Sequence, residues 1–202
     1  MNGVVLISGN GSNLQSIIDN AKSIDLNICC VVSNNKDAFG LKRAAKVDIP
    51  CVALDETLFD SKHGFDQEIM KVIDNYKAEV IILAGYMRIL SADFISKYFG
   101  KILNIHPSLL PKFPGLNTHQ RAIESSEKIH GVSIHFVTEE LDGGPVIAQE
   151  FVNIDSTDNA QTLAKKVLDK EHELYPKIIH WYTQGRLKLI DKNTATLDNK
   201  TL

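Results

Sequence analysis

The feature that most constrains the fold of this chain is a repeated alternation of short apolar runs with segments of helical periodicity over its first hundred residues. The apolar runs predict strands. They are VVLIS at 4–8, NICCVVS at 27–33, PCVAL at 50–54, VIILAG at 80–85 and KILNI at 101–105. Apolar strands joined through helices are typical of a parallel sheet that is covered on both faces. We therefore predict an α/β fold with a Rossmann-like, open, mostly parallel twisted sheet and helices on both faces.

The segments between these runs carry apolar residues three or four positions apart, which predicts helices. The predicted helices are 13–23, 38–47, 65–76 and 91–98. Ser91 stands where the last of them begins, and serine is a favourable N-cap residue. The strands and helices therefore alternate regularly along the first half of the chain.

The second half predicts an antiparallel extension of the sheet. GVSIHFVT at 131–138 alternates apolar and polar residues, and VIAQEFVNI at 146–154 follows it after a Gly-Gly-Pro turn. A long helix is predicted over 158–185, with Pro176 as a kink or break, and RLKLI at 186–190 as a short final strand. No linker or repeat interrupts this pattern, so we expect a single domain over 1–202.

Charge and cysteine usage exclude several classes of function. A net charge of -3 and a pI near 6.2 give no basic surplus for nucleic acid or an anionic membrane. The apolar runs are far shorter than a membrane span, and no basic leader precedes the first strand. Three cysteines fit neither a disulfide framework nor a paired-Cys metal pattern, and no HxH or HExxH spacing occurs, so no metal is predicted. We expect a cytoplasmic protein.

The stretch NIHPSLLPKFPG at 104–115 is the strongest candidate site. Asn104 and His106 are two positions apart at the end of a predicted strand, which points both side chains to one side. Ligands of open α/β sheets bind at the carboxyl ends of the strands. A lone histidine is more often structural, but the prolines that follow stiffen the backbone at this position. Together these features favour a functional site.

The stretch SGNGSNLQ at 8–15 passes from a strand through glycines into a helix. Helix N-termini offer free N–H groups to a phosphate. Leu14 breaks the dinucleotide pattern GxGxxG, and no Walker lysine follows. A tight turn with a Ser12 or Asn13 cap explains the stretch equally well, so the residues alone leave both interpretations open.

Two further stretches are ambiguous from the residues alone. In TEELDGGPV at 138–146, Asp142 precedes two glycines, which is ordinary turn chemistry. It would orient the His106 imidazole if the fold brought the two side chains together. AGYMRILS at 84–91 either supplies core residues or forms an apolar wall for a flat heteroaromatic ligand. The core interpretation is favoured there.

Taken together and in order, these stretches resemble the folate-dependent formyltransferases, and among them those that act on glycinamide ribonucleotide in purine synthesis. VVLISGNGSNLQ, AGYMRILS, NIHPSLLPKFPGLNTH and HGVSIHFVTEELDGGPVI carry the resemblance almost from end to end. It implies direct transfer of a formyl group from 10-formyltetrahydrofolate, as co-substrate, to the amine of 5′-phosphoribosylglycinamide. The partners are then small molecules, and we expect a monomer or weak homodimer.

The resemblance also implies roles for individual residues. The catalytic residues would be Asn104, His106 and Asp142. The ribonucleotide would be held by Gly11, Ser12, Asn13 and Glu171, the last at its ribose hydroxyls. The folate would be held by Lys62, Met87, Arg88, Ile89, Leu90, Asn104, Thr138, Glu139, Glu140, Leu141 and Asp142. The half at about 1–100 would thus bind the nucleotide phosphate, and the half at about 101–202 would bind folate and carry the catalytic residues.

Three positions depart from the family pattern. Lys62 replaces an arginine, which keeps the charge and loses the bidentate fork. Leu168 stands where a polar side chain is expected one turn before Glu171. Asn117 replaces a histidine two residues before His119. These changes bear on ligand affinity, while the three catalytic residues are unchanged.

Other members of the wider group remain as alternatives. A methionyl-tRNA formyltransferase would be expected to carry a further C-terminal domain and a basic surface, and a 10-formyltetrahydrofolate hydrolase an N-terminal regulatory domain. A non-catalytic folate- or nucleotide-binding module would not need Asn104, His106 and Asp142. The missing GxGxxG argues against a dehydrogenase that binds NAD.

Overall fold

The computed structural model describes residues 1–202, and its elements follow the predicted alternation. The strands are β1 (Asn2–Ile7), β2 (Asn27–Ser33), β3 (Cys51–Ala53), β4 (Val80–Leu83), β5 (Ile102–His106), β6 (Ile129–Phe136), β7 (Val146–Asn153), β8 (Leu187–Asp191), β9 (Thr194–Leu197) and β10 (Lys200–Thr201). The helices are α1 (Ser12–Asn20), α2 (Phe39–Ala45), α3 (Lys62–Asn75), α4 (Ala92–Lys97), α5 (Thr118–Glu124) and α6 (Ala160–Thr183). A 3-10 turn occupies Glu56–Leu58.

Seven strands form one sheet in the order β3-β2-β1-β4-β5-β6-β7, and β8 to β10 form a separate three-stranded sheet. This mostly parallel sheet with an antiparallel end confirms the predicted fold class. By backbone contacts the chain divides into two compact units, Met1–Leu103 and Asn104–Leu202. The assignment of 1–202 to a single domain with two functional halves stays a prediction.

The first unit is built on a central apolar strand. Val4 to Ile7 of β1 are fully buried, which is typical of a parallel strand covered on both faces. In register, Val5 of β1 lies opposite Val31 of β2 on one side and Ile82 of β4 on the other. All three side chains are buried, so the core of this unit follows directly from the apolar runs in the sequence.

The second unit contains the antiparallel extension. β6 and β7 pair in antiparallel fashion, with Val132 opposite Glu150 and Ser133 opposite Gln149. Alternate residues of β7 are more exposed, because one face of an antiparallel sheet can meet water. The predicted antiparallel extension is therefore confirmed, although the turn between these strands is formed by Leu141 and Asp142, with the Gly143 N–H donating to the Glu140 carbonyl at 3.1 Å.

Several details of the second unit differ from prediction. Helix α6 runs without a break through Pro176, because its buried face outweighs the one backbone hydrogen bond that proline cannot make. The predicted final strand at 186–190 is followed by two more, β9 and β10. Helix α5 was not predicted, because it is short and begins directly after the proline-rich stretch. None of the helices combines the length and apolar character that crossing a membrane requires.

Candidate active site

Asn104 and His106 occupy the carboxyl-terminal end of β5, as predicted. His106 is 5% exposed, while Asn104 is half-buried. The strand holds the backbone of Asn104 and of His106 in place, and the proline-containing stretch starts at the next residue, Pro107. The site is therefore built on a strand end that opens into a stiff loop.

His106 is held between two oxygen acceptors. Its Nε2 lies 2.9 Å from the Phe113 carbonyl oxygen, and its Nδ1 lies 3.4 Å from Asp142 Oδ2. The first contact is a hydrogen bond, while the second is an ion-pair distance somewhat longer than an N–H···O bond. The two side chains are 7% and 9% exposed, so their interaction is shielded from water. Only a doubly protonated ring can donate toward both acceptors.

Asp142 joins two loops of the second unit. Its Oδ2 accepts a hydrogen bond of 2.8 Å from the Gly115 N–H, which ties the stretch after β5 to the loop between β6 and β7. Its backbone has a φ of 51°, a left-handed conformation that aspartate tolerates better than most residues. The Asp-Gly sequence is thus turn chemistry and also presents the carboxylate to His106.

His135 of β6 is a site residue that the sequence analysis did not single out. Its Nδ1 lies 2.8 Å from the Phe136 carbonyl and its Nε2 lies 3.0 Å from Asn104 Nδ2. Nδ1 is then the protonated nitrogen, and Nε2 accepts a hydrogen bond from the Asn104 amide. Burial lowers the pKa of His135, which keeps the ring neutral and able to accept, although the nearby Asp142 carboxylate acts in the opposite direction.

This contact sets the orientation of the Asn104 amide, because Nδ2 must point at His135. The second N–H of the same amide is available to a ligand. His135 Nε2 also lies 3.7 Å from Asp142 Oδ1. The three predicted catalytic residues are therefore brought together, with His135 between Asn104 and Asp142. His135 stands two residues after Ser133 in β6, and this spacing was the sequence signal that the two polar side chains share one face of the strand.

The proline-containing stretch is fastened to β6 and β7 by a buried hydroxyl. Ser133 Oγ donates to the Ser108 carbonyl (2.6 Å) and accepts from the Leu110 N–H (3.0 Å) and from Gln149 Nε2 (2.8 Å). Gln149 Nε2 also donates to the Leu110 carbonyl at 2.9 Å. The loop that carries Phe113 and Gly115 is thus held by hydrogen bonds in addition to its prolines.

Two further histidines lie against this stretch. His130 Nε2 is 3.2 Å from His119 Nδ1, and their rings meet edge to face at 5.2 Å. Burial lowers the pKa of His119, and it lowers the pKa of His130 to about 4. Both rings are therefore neutral at pH 7, and one can donate to the other.

The glycine-containing loop at 8–13 forms a pocket in the first unit. Gly11 is the N-cap of α1 with a φ of 73°, and no side chain caps the helix. The predicted alternative of a Ser or Asn cap is therefore wrong, and the N–H groups of the first helical turn are not taken by a cap. A pocket of about 250 Å³ is lined by Ser8, Gly9, Asn10, Gly11, Ser12, Asn13, Ala84, Gly85 and Met87.

The stretch at 84–91 borders the same pocket. The Ser8 hydroxyl accepts a hydrogen bond from the Met87 N–H at 2.8 Å, and Ser8 N–H donates to the Gly85 carbonyl at 3.1 Å. Met87 and Ile89 are 65% and 64% exposed, whereas Leu90 is buried. The core interpretation thus applies to Leu90 and not to Met87 or Ile89. Two large apolar side chains in water are available to a ligand.

Arg88 is largely buried between these exposed residues. Its guanidinium pairs with the Glu56 carboxylate and lies over the Phe65 ring at 4.3 Å. Desolvation lowers the pKa of Arg88, and the group stays charged at neutral pH. The side chain is thus part of the packing of the first unit and is not a loose surface charge.

The remaining predicted ligand residues lie in three places. Lys62 is the exposed first residue of α3, and Glu171 is 8% exposed within α6. The loop residues Glu139, Glu140 and Leu141 are exposed, and Thr138 is half-buried. No group of three or more His, Cys, Asp or Glu side chains is arranged to hold a metal ion.

Comparison with known proteins places this geometry in a family. The family model described as Formyl transferase matches residues 1–179. The chain is 50% identical to the phosphoribosylglycinamide formyltransferase of Escherichia coli (strain K12), over 100% of this chain and 96% of the relative. It is 46% identical to the enzyme of that name from Haemophilus influenzae, over 98% of this chain and 94% of the relative.

A solved structure leads to the same family. The phosphoribosylglycinamide formyltransferase of Coxiella burnetii, determined in complex with CHES, superposes with a TM-score of 0.96 at 45% identity. The match covers 100% of this chain and 95% of that chain. Sequence and fold therefore agree, and the chain belongs to the formyl transferase family.

Proposed function

We propose that this chain transfers the formyl group of 10-formyltetrahydrofolate to the amine of 5′-phosphoribosylglycinamide, giving the N-formyl product and tetrahydrofolate in de novo purine synthesis. The observation that carries the proposal is the 50% identity, over the full chain, to an enzyme named phosphoribosylglycinamide formyltransferase. The catalytic cluster supports it, because amide, imidazole and carboxylate side chains are what direct formyl transfer requires.

Attack of the amine on the formyl carbon builds a tetrahedral species with negative charge on oxygen. Such a species is stabilised by donors fixed in place before the reaction. The Asn104 amide meets this need, since His135 holds one of its N–H groups and leaves the other free. Removal of one such donor typically costs about 10²–10³ in rate.

A proton must also pass from the attacking nitrogen to the folate nitrogen that leaves. We assign this transfer to His106, assisted by Asp142. His106 Nε2 is engaged by the Phe113 carbonyl, so Nδ1 is the nitrogen that exchanges the proton. Its 3.4 Å separation from Asp142 Oδ2 is long enough for a reacting atom or a water to compete for that nitrogen.

The phosphate of the ribonucleotide binds, in this proposal, at Gly11, Ser12 and Asn13. The uncapped start of α1 supplies N–H donors and the positive end of a helix dipole. Glu171 is assigned to the ribose hydroxyls, because the two oxygens of a carboxylate can accept hydrogen bonds from two hydroxyls. Both assignments follow the family pattern residue by residue.

Folate binding is assigned to two stretches and one lysine. The exposed Met87 and Ile89, with Arg88 and Leu90 behind them, offer an apolar surface and backbone polar groups to the pterin. The family pattern also assigns the loop from Thr138 to Asp142 to folate, and Lys62 to the glutamate carboxylates.

The function is tested by following tetrahydrofolate release spectrophotometrically with 10-formyltetrahydrofolate, in the presence and absence of 5′-phosphoribosylglycinamide. We expect release only when the ribonucleotide is present. Release without it would replace the proposal by a hydrolase. No release in either reaction, with folate still bound, would replace it by a binding module.

Three free cysteines, Cys29, Cys30 and Cys51, fit a reducing compartment, and we propose that the protein acts in the cytoplasm. The small molecules named above are its proposed partners. A monomer or weak homodimer stays a prediction, which sedimentation at several protein concentrations would test.

A further inference from the structure

The loop that lines the 250 Å³ pocket has a shape that its own residues do not enforce. Gly9 and Asn10 are exposed, so no core packing holds them. Gly11 adopts a φ of 73° and stands against Gly40 of α2, where an added Cβ would meet the Gly40 Cα at 2.6 Å. The Gly40 N–H donates to the Gly9 carbonyl at 3.1 Å. Helix α2 is therefore the support of this loop.

Arg43 extends that support from the next turn of α2. Its Nε donates to the Asn10 carbonyl at 2.9 Å and its Nη2 to the Asn10 side-chain oxygen at 2.8 Å. The third donor, Nη1, lies 3.3 Å from Gln15 Oε1 on α1. The planar guanidinium thus clamps both acceptors of one exposed loop residue and links it to the helix that follows.

The clamp is specific to arginine. Two of its contacts form a fork on a single residue, which a lysine ammonium on a flexible stem does not reproduce. The guanidinium lies over the Phe39 ring at 4.9 Å, which further restricts its plane. All three acceptors are neutral oxygens, so no carboxylate offsets the positive charge through these bonds.

Arg43 does not line the pocket, whereas Asn10 does. Any influence of Arg43 on a ligand of the pocket therefore passes through Asn10 and the loop. We propose that Arg43 is a positioning residue, which holds the loop at 9–13 in the shape that binds the substrate phosphate. This inference rests on the proposed function only for the identity of the substrate.

The test compares Arg43→Lys and Arg43→Met with wild type. Ribose 5-phosphate binding is measured by calorimetry, and KM for each substrate and kcat are measured by the formyl-transfer assay. Because both variants lose the fork, we expect each to weaken ribose 5-phosphate binding and raise KM for the ribonucleotide by about tenfold. KM for the folate should stay within about twofold, since Arg43 contacts the loop at Asn10 and not the 84–91 stretch that is assigned to the folate.

Arg186→Lys is the matched control. Arg186 also makes a two-pronged contact, with Asp198 at 2.8 and 2.7 Å, but belongs to the C-terminal strands. This variant should leave both constants unchanged. Thermal unfolding of all variants identifies any general loss of structure, and ribose 5-phosphate binding is then read at a temperature where each is folded.

Several outcomes would overturn the inference. Normal binding by Arg43→Lys with weak binding by Arg43→Met would mean that charge acts and the fork does not. Equal changes in the constants of both substrates would mean a general structural role, and absence of ribose 5-phosphate binding by wild type would remove the phosphate site itself. If wild type binds ribose 5-phosphate but transfers no formyl group, the proposed function fails while the binding comparison still decides the role of Arg43.

Discussion

At the scale of single residues, Asp142 is the side chain on which the most site contacts converge. Its two oxygens reach the Gly115 N–H, His106 and His135. Asp142→Asn keeps the shape of the side chain and removes the charge that assists proton transfer through His106. We expect kcat to fall by roughly 10²–10⁴, the usual contribution of general acid–base catalysis, with the fold retained.

Steady-state kinetics with both substrates and a thermal unfolding curve measure these effects. Asp93→Asn is the control, because Asp93 is an exposed carboxylate on α4. A near-native kcat in Asp142→Asn would remove this carboxylate from the mechanism. A large loss of stability would instead assign it to the joining of the two loops.

Tyr86 offers a second test at this scale. It is 8% exposed, and its hydroxyl has no hydrogen-bond partner. Burial raises the pKa of Tyr86, so the phenol remains neutral. A buried hydroxyl without a partner costs free energy, and Tyr86→Phe should therefore increase the free energy of unfolding by about 1 kcal/mol.

Urea unfolding of Tyr86→Phe measures this gain, and Tyr98→Phe is the matched control. The Tyr98 hydroxyl donates to Asp74 at 2.8 Å, with the Met70 carbonyl at 3.1 Å, so its removal should lower stability. Equal losses in the two variants would show that the Tyr86 hydroxyl has a partner such as a bound water.

At the scale of elements, the hydroxyl of Ser133 joins β6 to the loop that follows β5. Ser133→Ala would leave the buried Leu110 N–H without its acceptor, whereas Gln149 Nε2 would keep the Leu110 carbonyl. We expect a loss of about 1–3 kcal/mol in the free energy of unfolding, the usual cost of one unsatisfied buried donor. Because that loop carries Phe113, which anchors His106, kcat should fall as well.

Urea denaturation and steady-state kinetics on the same samples test both parts of this prediction. Ser96→Ala is the control, because Ser96 is exposed on α4. Unchanged stability would mean that the prolines alone hold the loop. Lost stability with unchanged kcat would separate the anchoring of the loop from the positioning of His106.

At the scale of the whole molecule, the parallel sheet could be predicted because its buried strands are apolar runs, such as Val4 to Ile7. The predicted family and activity class are also confirmed, since motif order along the chain carries both. His135 and Ser133 were missed because their roles depend on which strands pair, and a single strand does not reveal its neighbours. The clamp of Arg43 on Asn10 was hidden for the same reason, as 33 positions separate the two residues. The roles of individual site residues stay predictions.

The pH dependence of stability belongs to this scale, because the whole chain unfolds into a state in which its histidines titrate normally near 6.5. Burial lowers the pKa of His119 and His135, and that of His130 to about 4. Between pH 6.5 and 4 the unfolded chain therefore binds more protons than the folded one, so stability is greatest above pH 6.5 and falls as the pH is lowered. Urea midpoints measured from pH 7.5 to 5 should show this fall, and His130→Gln should make it shallower. The readout is the slope of stability against pH, so a lower overall stability of His130→Gln does not affect it. An unchanged slope would mean that His130 gains its proton while the chain stays folded.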